Sequence, residues 1–242
     1  MMRFSAIRIA SLVVVAGLIL AGCAASQSSP TNSNAQIPVS AATSAPTAAP
    51  AQASNASASS TNGTIRCVLI AGANEASYSV REQLARLSFP TDAVGKTNQV
   101  SGEIDIQKDG TIDQSKSKFV VDLTSLQTDS NMRDNFVRRN VLETNQYPQA
   151  VFVPTQVTGL ATPLPPTGNV NFKIAGDMTI HGVTKPVTWD VTGTAKNGSA
   201  TGTATTSFKF EDFNISQPRV PVVLSLVDNI NLTVTLSLQQ AQ

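Results

Sequence analysis

Residues 171–180 read NFKIAGDMTI, and the alternation within this stretch decides the fold class. Apolar side chains at Phe172, Ile174 and Met178 alternate with polar or small residues. Because side chains two positions apart share one face of a strand, this period predicts a strand with one apolar and one polar face. The same alternation recurs in four further runs, at 119–123, 187–191, 208–210 and 230–238.

Short polar segments divide the alternating runs at Lys108-Asp109-Gly110, Asn197-Gly198 and Val227-Asp228-Asn229. Gly, Asn and Asp tolerate the positive φ angles of tight turns, so we expect chain reversals there. Strands do not alternate with helices in the βαβ manner, which favours an antiparallel sheet.

One segment has helical periodicity instead. Between Thr128 and Leu142 apolar residues recur at helical spacing, and Thr128, Asp129 and Ser130 offer N-cap oxygens just before them. The chain is therefore predicted to be all-β, an extended antiparallel β-barrel of about eight strands that is closed or nearly closed. One short inserted helix interrupts the strands.

The N-terminal segment resembles the signal peptide of a bacterial lipoprotein. Arg3 and Arg8 precede an apolar run, and Leu20-Ala21-Gly22-Cys23 resembles the lipobox, before whose cysteine such peptides are cut. This resemblance implies a signal peptide over 1–22 and lipidation of Cys23, with a diacylglyceryl group and palmitate. The protein would then be extracytoplasmic, on the periplasmic or cell-surface face of a bacterial membrane. The alternative, a transmembrane helix, needs about 20 apolar residues, and the uncharged run 9–23 is shorter.

A compositional boundary lies near residue 64. The segment 24–64 has no charged residue and consists almost entirely of Ala, Ser, Thr, Pro, Asn and Gln. Such a segment buries too little apolar surface to offset the entropy of ordering it. We therefore predict that 23–64 comprises the lipidated cysteine and a disordered stalk, and that 65–242 forms a single folded domain.

Composition excludes several classes of function. The chain has 17 Lys and Arg against 16 Asp and Glu, a net charge of +1, so we expect no nucleic-acid partner. His181 is the only histidine, which excludes a Ser-His-Asp triad and a multi-histidine metal site. We therefore expect no enzyme activity, no metal and no cofactor. With Cys23 lipidated, Cys67 has no intramolecular disulfide partner, and we predict a small buried hydrophobe rather than a redox thiol.

Three ordered motifs resemble those of the YceI-like family. The first comprises DLTSLQTD at 122–129, MRDNF at 132–136 and YPQAVF at 147–152. The second is GDMTIHGVTKPV at 176–187, and the third is FEDFNI at 210–215. Their order and spacing also agree with the family. The chain departs from the family at 77–84, where SYSVREQL replaces a run that usually ends in histidine.

The resemblance implies a lipocalin-like barrel around an apolar pocket that holds a polyisoprenoid or another long-chain amphiphilic lipid. Strand parity supplies the candidate pocket residues, which are Phe119, Val121, Phe152, Phe172, Ile174, Met178, Trp189, Phe208, Phe210 and Leu232. Candidates for the lipid headgroup are Arg133, Arg138 and His181. Alternatively, Arg133 and Asp134 fix the helix to the barrel, and His181 has a structural role.

Two functions are compatible with this reading. In the first, a membrane-anchored protein sequesters or carries such a lipid inside the barrel. In the alternative, side chains fill the barrel, and the domain has a structural or stress-related role in the cell envelope. A barrel of about eight strands allows both, because its interior is just wide enough to be filled or to hold one small ligand. Small residues within the strands are predicted to leave interior volume open, namely Gly176, Gly193, Ala195, Gly202 and Ala204.

Overall fold

The structure is a computed structural model that describes residues 64–107, 109–161 and 165–241. The predicted signal peptide, Cys23 and all of the predicted stalk except Thr64 lie outside these residues. The described chain contains ten strands, β1 Ile65–Leu69, β2 Glu75–Leu84, β3 Thr91–Thr97, β4 Val100–Ile106, β5 Lys118–Asp122, β6 Gln149–Thr158, β7 Thr167–Ile180, β8 Val183–Lys196, β9 Ser199–Phe208 and β10 Val223–Gln240.

All ten strands belong to one antiparallel sheet that closes on itself. β1 and β2 follow each other along one edge of β10, where Cys67 lies opposite Gln240 and Leu84 lies opposite Val223. On the other edge of these two strands, β3 pairs with β2 and β4 pairs with β1, so β3 and β4 also share one position. The ten strands therefore occupy eight positions around the barrel, which confirms the predicted all-β antiparallel barrel.

The strand directions give the barrel two distinct ends. The described chain enters at Thr64 and leaves at Ala241 at the same end, which we call the terminal end. At the opposite end, the helix end, lie the β2–β3 loop at 85–90, the long β5–β6 connection at 123–148 and the β9–β10 connection at 209–222.

The predicted helix is present in the β5–β6 connection, although it is shorter than the predicted segment. The α-helix α1 spans Asn131–Phe136, and a π-helical turn continues it over Val137–Val141. The Ser130 hydroxyl caps α1 by accepting a hydrogen bond from the Arg133 backbone N–H. Asp134 accepts two more, from the Thr128 backbone N–H and hydroxyl, both at 2.7 Å. These bonds fix the N-terminus of the helix as the sequence predicted.

Positive φ angles mark two tight hairpins. Asn197 and Gly198, with φ of 48° and 82°, join β8 to β9 as a type I′ turn, as predicted. His181 and Gly182, with φ of 51° and 73°, join β7 to β8 in the same way. The sequence predicts that Val227-Asp228-Asn229 separates two strands, and this prediction is wrong because β10 continues through these residues. These residues bulge within β10, because its register against β2 shifts between Leu226 and Ile230.

Inward-facing side chains form an apolar core that includes Trp189, Met178 and Phe213. Phe213 is completely buried, and its ring meets that of Phe208 edge to face at 4.6 Å. The alternation had placed Phe210 on a strand with Phe208, which is wrong. Phe210 begins a 3-10 turn, Phe210–Phe213, because the Asp212 carboxylate accepts the Lys209 N–H and the chain leaves the strand there.

The strand glycines do not leave interior volume open, contrary to prediction. A Cβ atom on Gly176 would lie 2.4 Å from the Val153 carbonyl oxygen. Cβ atoms on Gly193 and Gly202 would each lie 2.5 Å from a carbonyl oxygen of the facing strand. Glycine is required at these positions because neighbouring backbones approach closely.

Candidate functional site

A cavity of about 340 Å³ lies inside the barrel. Its volume falls within the range of about 300–1,000 Å³ that is typical of small-molecule sites. All ten pocket residues predicted from strand parity line this cavity. Further apolar side chains complete the wall, among them Val80, Ile104, Phe136 and Val234. That the wall residues contact a ligand stays a prediction.

Trp189 is buried in the cavity wall on β8. Its ring meets that of Phe152 on β6 edge to face, with 6.0 Å between the ring centroids. The indole Nε1–H has no hydrogen-bond partner among the described residues. Trp189 therefore offers the cavity a large apolar surface, and its fluorescence can report on what enters.

Tyr78 brings a second unpartnered polar group to the wall. Its ring lies over Gly95 on β3, so closely that a Cβ atom there would be 2.3 Å from Tyr78 Cε1. The hydroxyl is buried and has no hydrogen-bond partner among the described residues. Burial raises the pKa of this hydroxyl to about 12, so it keeps its proton at neutral pH. Tyr78 thus keeps a buried, unpartnered hydroxyl within the cavity wall.

A buried ion pair joins α1 to the barrel beside the cavity. Arg133 donates from Nη2 to Glu82 Oε1 at 2.9 Å, and the Glu82 side chain is only 6% exposed. A second bond, at 2.5 Å, runs from Arg133 Nη1 to Asp129 Oδ1. Arg133 thus fixes the helix to the barrel, which is the alternative to a headgroup contact that the sequence left open. Because two carboxylates already compensate the guanidinium charge, Arg133 is a weak candidate for an anionic headgroup.

The other two headgroup candidates lie away from the cavity wall. Arg138 donates to the Leu126 carbonyl oxygen at 2.9 Å. His181 packs edge to face on Tyr147 at the β7–β8 turn, with 4.7 Å between the ring centroids. Its Nε2 lies 3.7 Å from Glu143 Oε2, and neither ring nitrogen has a hydrogen-bond partner among the described residues. The structure therefore brings only Arg133 of the three to the cavity.

The cavity extends to the helix end of the barrel, which we call its mouth. Lining residues there are only half-buried, namely Arg133 on α1, Pro218 and Val220 in the β9–β10 connection, and Val223 and Leu226 on β10. Toward the terminal end the lining consists of apolar side chains such as Ile106 and Leu238. The cavity is thus apolar in its depth and has its polar groups, Tyr78, Glu82 and Arg133, nearer the mouth.

Sequence reasoning missed Tyr78 and Glu82, although the pattern contained a signal. On β2, Tyr78 and Glu82 lie an even number of positions from Val80 and Leu84, along the same face of the strand. The side chains of that face point into the barrel. A polar residue at an inward position is a better indicator of a site than a polar residue at an outward one.

The remaining titratable groups form no second centre. Cys67 is half-buried, packs against the core, and burial raises the pKa of its thiol. Over the described ranges, no three His, Cys, Asp or Glu side chains come together as a metal site. Of the helices described, none is long and apolar enough to cross a bilayer.

Sequence comparisons identify relatives over part of the chain. A UPF0312 protein of Vibrio parahaemolyticus is 35% identical over 95 residues, which is 39% of this chain and 46% of that protein. A UPF0312 protein of Pseudomonas putida is 38% identical over 111 residues, 42% of this chain and 54% of that protein. The chain spans about half the length of these curated relatives.

Solved structures share the fold. The crystal structure of Burkholderia cenocepacia BcnA has a TM-score of 0.51 at 19% identity, covering 70% of this chain and 98% of that one. A polyisoprenoid binding domain from Saccharophagus degradans, implicated in plant cell wall breakdown, has a TM-score of 0.56 at 13% identity, covering 72% and 98%. The sequence model of the family described as "YceI-like domain" matches residues 72–239 of this chain. The chain therefore belongs to the YceI-like family.

Proposed function

We propose that this protein binds a polyisoprenoid or another long-chain amphiphilic lipid in its barrel cavity and sequesters or carries it without catalysis. The observation that supports this most is the cavity of about 340 Å³ with an almost entirely apolar wall. An open cavity favours a binding protein over the alternative of a filled, purely structural barrel. The polyisoprenoid binding domain of Saccharophagus degradans, which shares the fold, supports the same ligand class.

Burial of an isoprenoid chain would supply most of the affinity. Each isoprene unit has five carbons, so its burial contributes about 3–4 kcal/mol at ~0.8 kcal/mol per methylene. A polar headgroup would lie nearer the mouth, where the Arg133 charge is already compensated by Glu82 and Asp129. Contacts there would mainly orient the ligand.

Organic extraction of protein purified from its own host tests the proposal. We expect mass spectrometry to find a recurrent long-chain lipid in stoichiometric amount, because so apolar a ligand leaves the cavity slowly in water. The control is an unrelated lipoprotein from the same host, purified in the same detergent, which corrects for lipid carried over with the anchor. Folded protein with no excess lipid over this control would favour the filled-barrel alternative.

We also propose that a lipid on Cys23 anchors the protein on the extracytoplasmic face of a bacterial membrane. The lipobox and the preceding apolar run support this, and two or more acyl chains give a stable anchor where one does not. Cys23→Ser removes the thiol that would carry the lipid. We expect the variant to lack incorporated radioactive palmitate, with Cys67→Ser as the control that keeps it. Equal labelling of Cys23→Ser and wild type would contradict the anchor.

A further inference from the structure

We propose that apolar side chains around the cavity mouth dock the barrel onto an anionic lipid bilayer. These side chains, which we call the mouth rim, are Leu87, Phe89, Met132, Val222, Leu224 and Val227. Together they include most of the large hydrophobic residues that the described surface exposes. Met132 is 82% exposed, Phe89 79% and Leu224 66%, which is unusual for side chains of this kind in water.

Backbone pairing gathers the mouth rim at the helix end. Leu87 and Phe89 lie in the β2–β3 loop, and the Ala85 N–H donates to the Val222 carbonyl oxygen at 3.0 Å. Leu84, at the end of β2, pairs with Val223 at the start of β10. Met132 reaches the same end on α1, whose Arg133 is bonded to Glu82 on β2. Three separate segments therefore present apolar groups around one opening.

The mouth rim is continuous with the cavity. Along β10, Val223 and Leu226 line the cavity, while Val222 and Leu224 beside them are exposed. A long-chain lipid could pass between a bilayer and the cavity along this apolar path without crossing water. This step rests on the proposed function, whereas docking of the rim on a membrane does not.

Charge at the same end fits an anionic surface. Arg86, in the β2–β3 loop, and Arg219, in the β9–β10 connection, are both exposed and form no salt bridge with any described residue. Nearby Asp92 is paired with Arg81, whereas Asp212 and Asp228 accept backbone N–H groups and keep negative charges that partly offset the free cations. Free cations beside exposed apolar side chains are typical of surfaces that bind anionic lipid headgroups.

The N-terminal anchor would not prevent this orientation. Thr64 lies at the terminal end, opposite the mouth rim, so an anchor at Cys23 and a docked rim would together require the preceding residues to span the length of the barrel. The stretch 23–63 can span at most ~135–150 Å when fully extended, at ~3.3–3.6 Å per residue. The β1–β2 path along the barrel, 65–84, spans at most ~65 Å by the same measure. The residues that precede the barrel are therefore numerous enough to let the mouth rim contact the membrane.

Quenching by brominated lipid tests the proposal on the full chain in vesicles. In a Trp189→Phe background, Phe89→Trp places the sole tryptophan on the mouth rim, and Ile70→Trp places it on the barrel wall, where Ile70 is 37% exposed. The vesicles contain equal parts of phosphatidylglycerol and brominated phosphatidylcholine. We expect severalfold stronger quenching and bluer emission for Phe89→Trp, because rim side chains would enter the headgroup and acyl boundary. Leu224→Trp is a second rim probe in case one variant folds poorly.

A second set of measurements tests the role of charge by adding Arg86→Gln and Arg219→Gln to the Phe89→Trp protein. We expect severalfold weaker quenching, and the same loss when phosphatidylglycerol is replaced by phosphatidylcholine. Equal quenching at positions 89, 224 and 70 would overturn the proposal. Blue-shifted emission that depends on protein concentration but not on brominated lipid would assign the rim to a second copy of the chain and also overturn it. Extraction of bound lipid is a separate readout, so failure of docking is distinguishable from failure of the proposed function.

Discussion

Phe213→Ala is expected to destabilise the barrel by about 3–5 kcal/mol, the cost typical of deleting a buried phenyl ring. Phe213 is completely buried and packs edge to face on Phe208 at the helix end of the core. The 3-10 turn that carries it is held by Asp212 and by Asn214, whose φ is 52°, so the backbone cannot easily collapse into the void. A rigid surround leaves more of the cavity unfilled, which raises the cost.

The matched control is Phe89→Ala, because Phe89 has the same chemistry but is 79% exposed. We expect its free energy of unfolding to change by no more than about 0.5 kcal/mol. Urea unfolding, followed by the fluorescence of Trp189 and by circular dichroism, measures both variants. If Phe213→Ala and Phe89→Ala had the same unfolding midpoint, the 3-10 turn would not be part of the cooperative core.

Much of the fold could be predicted because a strand has a period of two. The period of two places nine of the ten pocket residues on the inward face of their strands, and all nine line the cavity. Phe210 also lines the cavity, although it lies on a 3-10 turn and not on a strand. The helix could be predicted because its N-cap is local: the Ser130 hydroxyl accepts the Arg133 N–H, and the Asp134 carboxylate accepts the Thr128 N–H. Such features depend on neighbours in the sequence.

Features that depend on distant segments could not be predicted. The bulge at 227–229 exists because β10 pairs with β2, more than a hundred residues away in the chain. Gly193 and Gly202 face each other across β8 and β9, so their small size reflects a close backbone approach and not an open interior. Strand parity points Tyr78 inward, but the lack of a hydrogen-bond partner for its hydroxyl depends on the closed barrel and could not be predicted.

The cavity can be narrowed by a single substitution on β9. Ala204 is buried, lines the cavity, and lies opposite Val191 and Val234 on the neighbouring strands. In Ala204→Phe the added phenyl ring would occupy space equivalent to about one isoprene unit, which is worth ~3–4 kcal/mol of burial. We therefore expect a long-chain polyprenol to bind about 10²–10³-fold more weakly, at ~1.4 kcal/mol per tenfold.

Titration of Trp189 fluorescence with the polyprenol measures this change, because Trp189 lies in the same wall. Thr205→Phe is the matched control: it adds a phenyl ring at the next residue, whose side chain faces solvent on the opposite side of the strand. We expect Thr205→Phe to bind like wild type. Overpacking would cost Ala204→Phe about 1–3 kcal/mol of stability, so circular dichroism must first show that it is folded. If the folded Ala204→Phe protein bound the polyprenol as tightly as Thr205→Phe, the ligand would not occupy the barrel cavity.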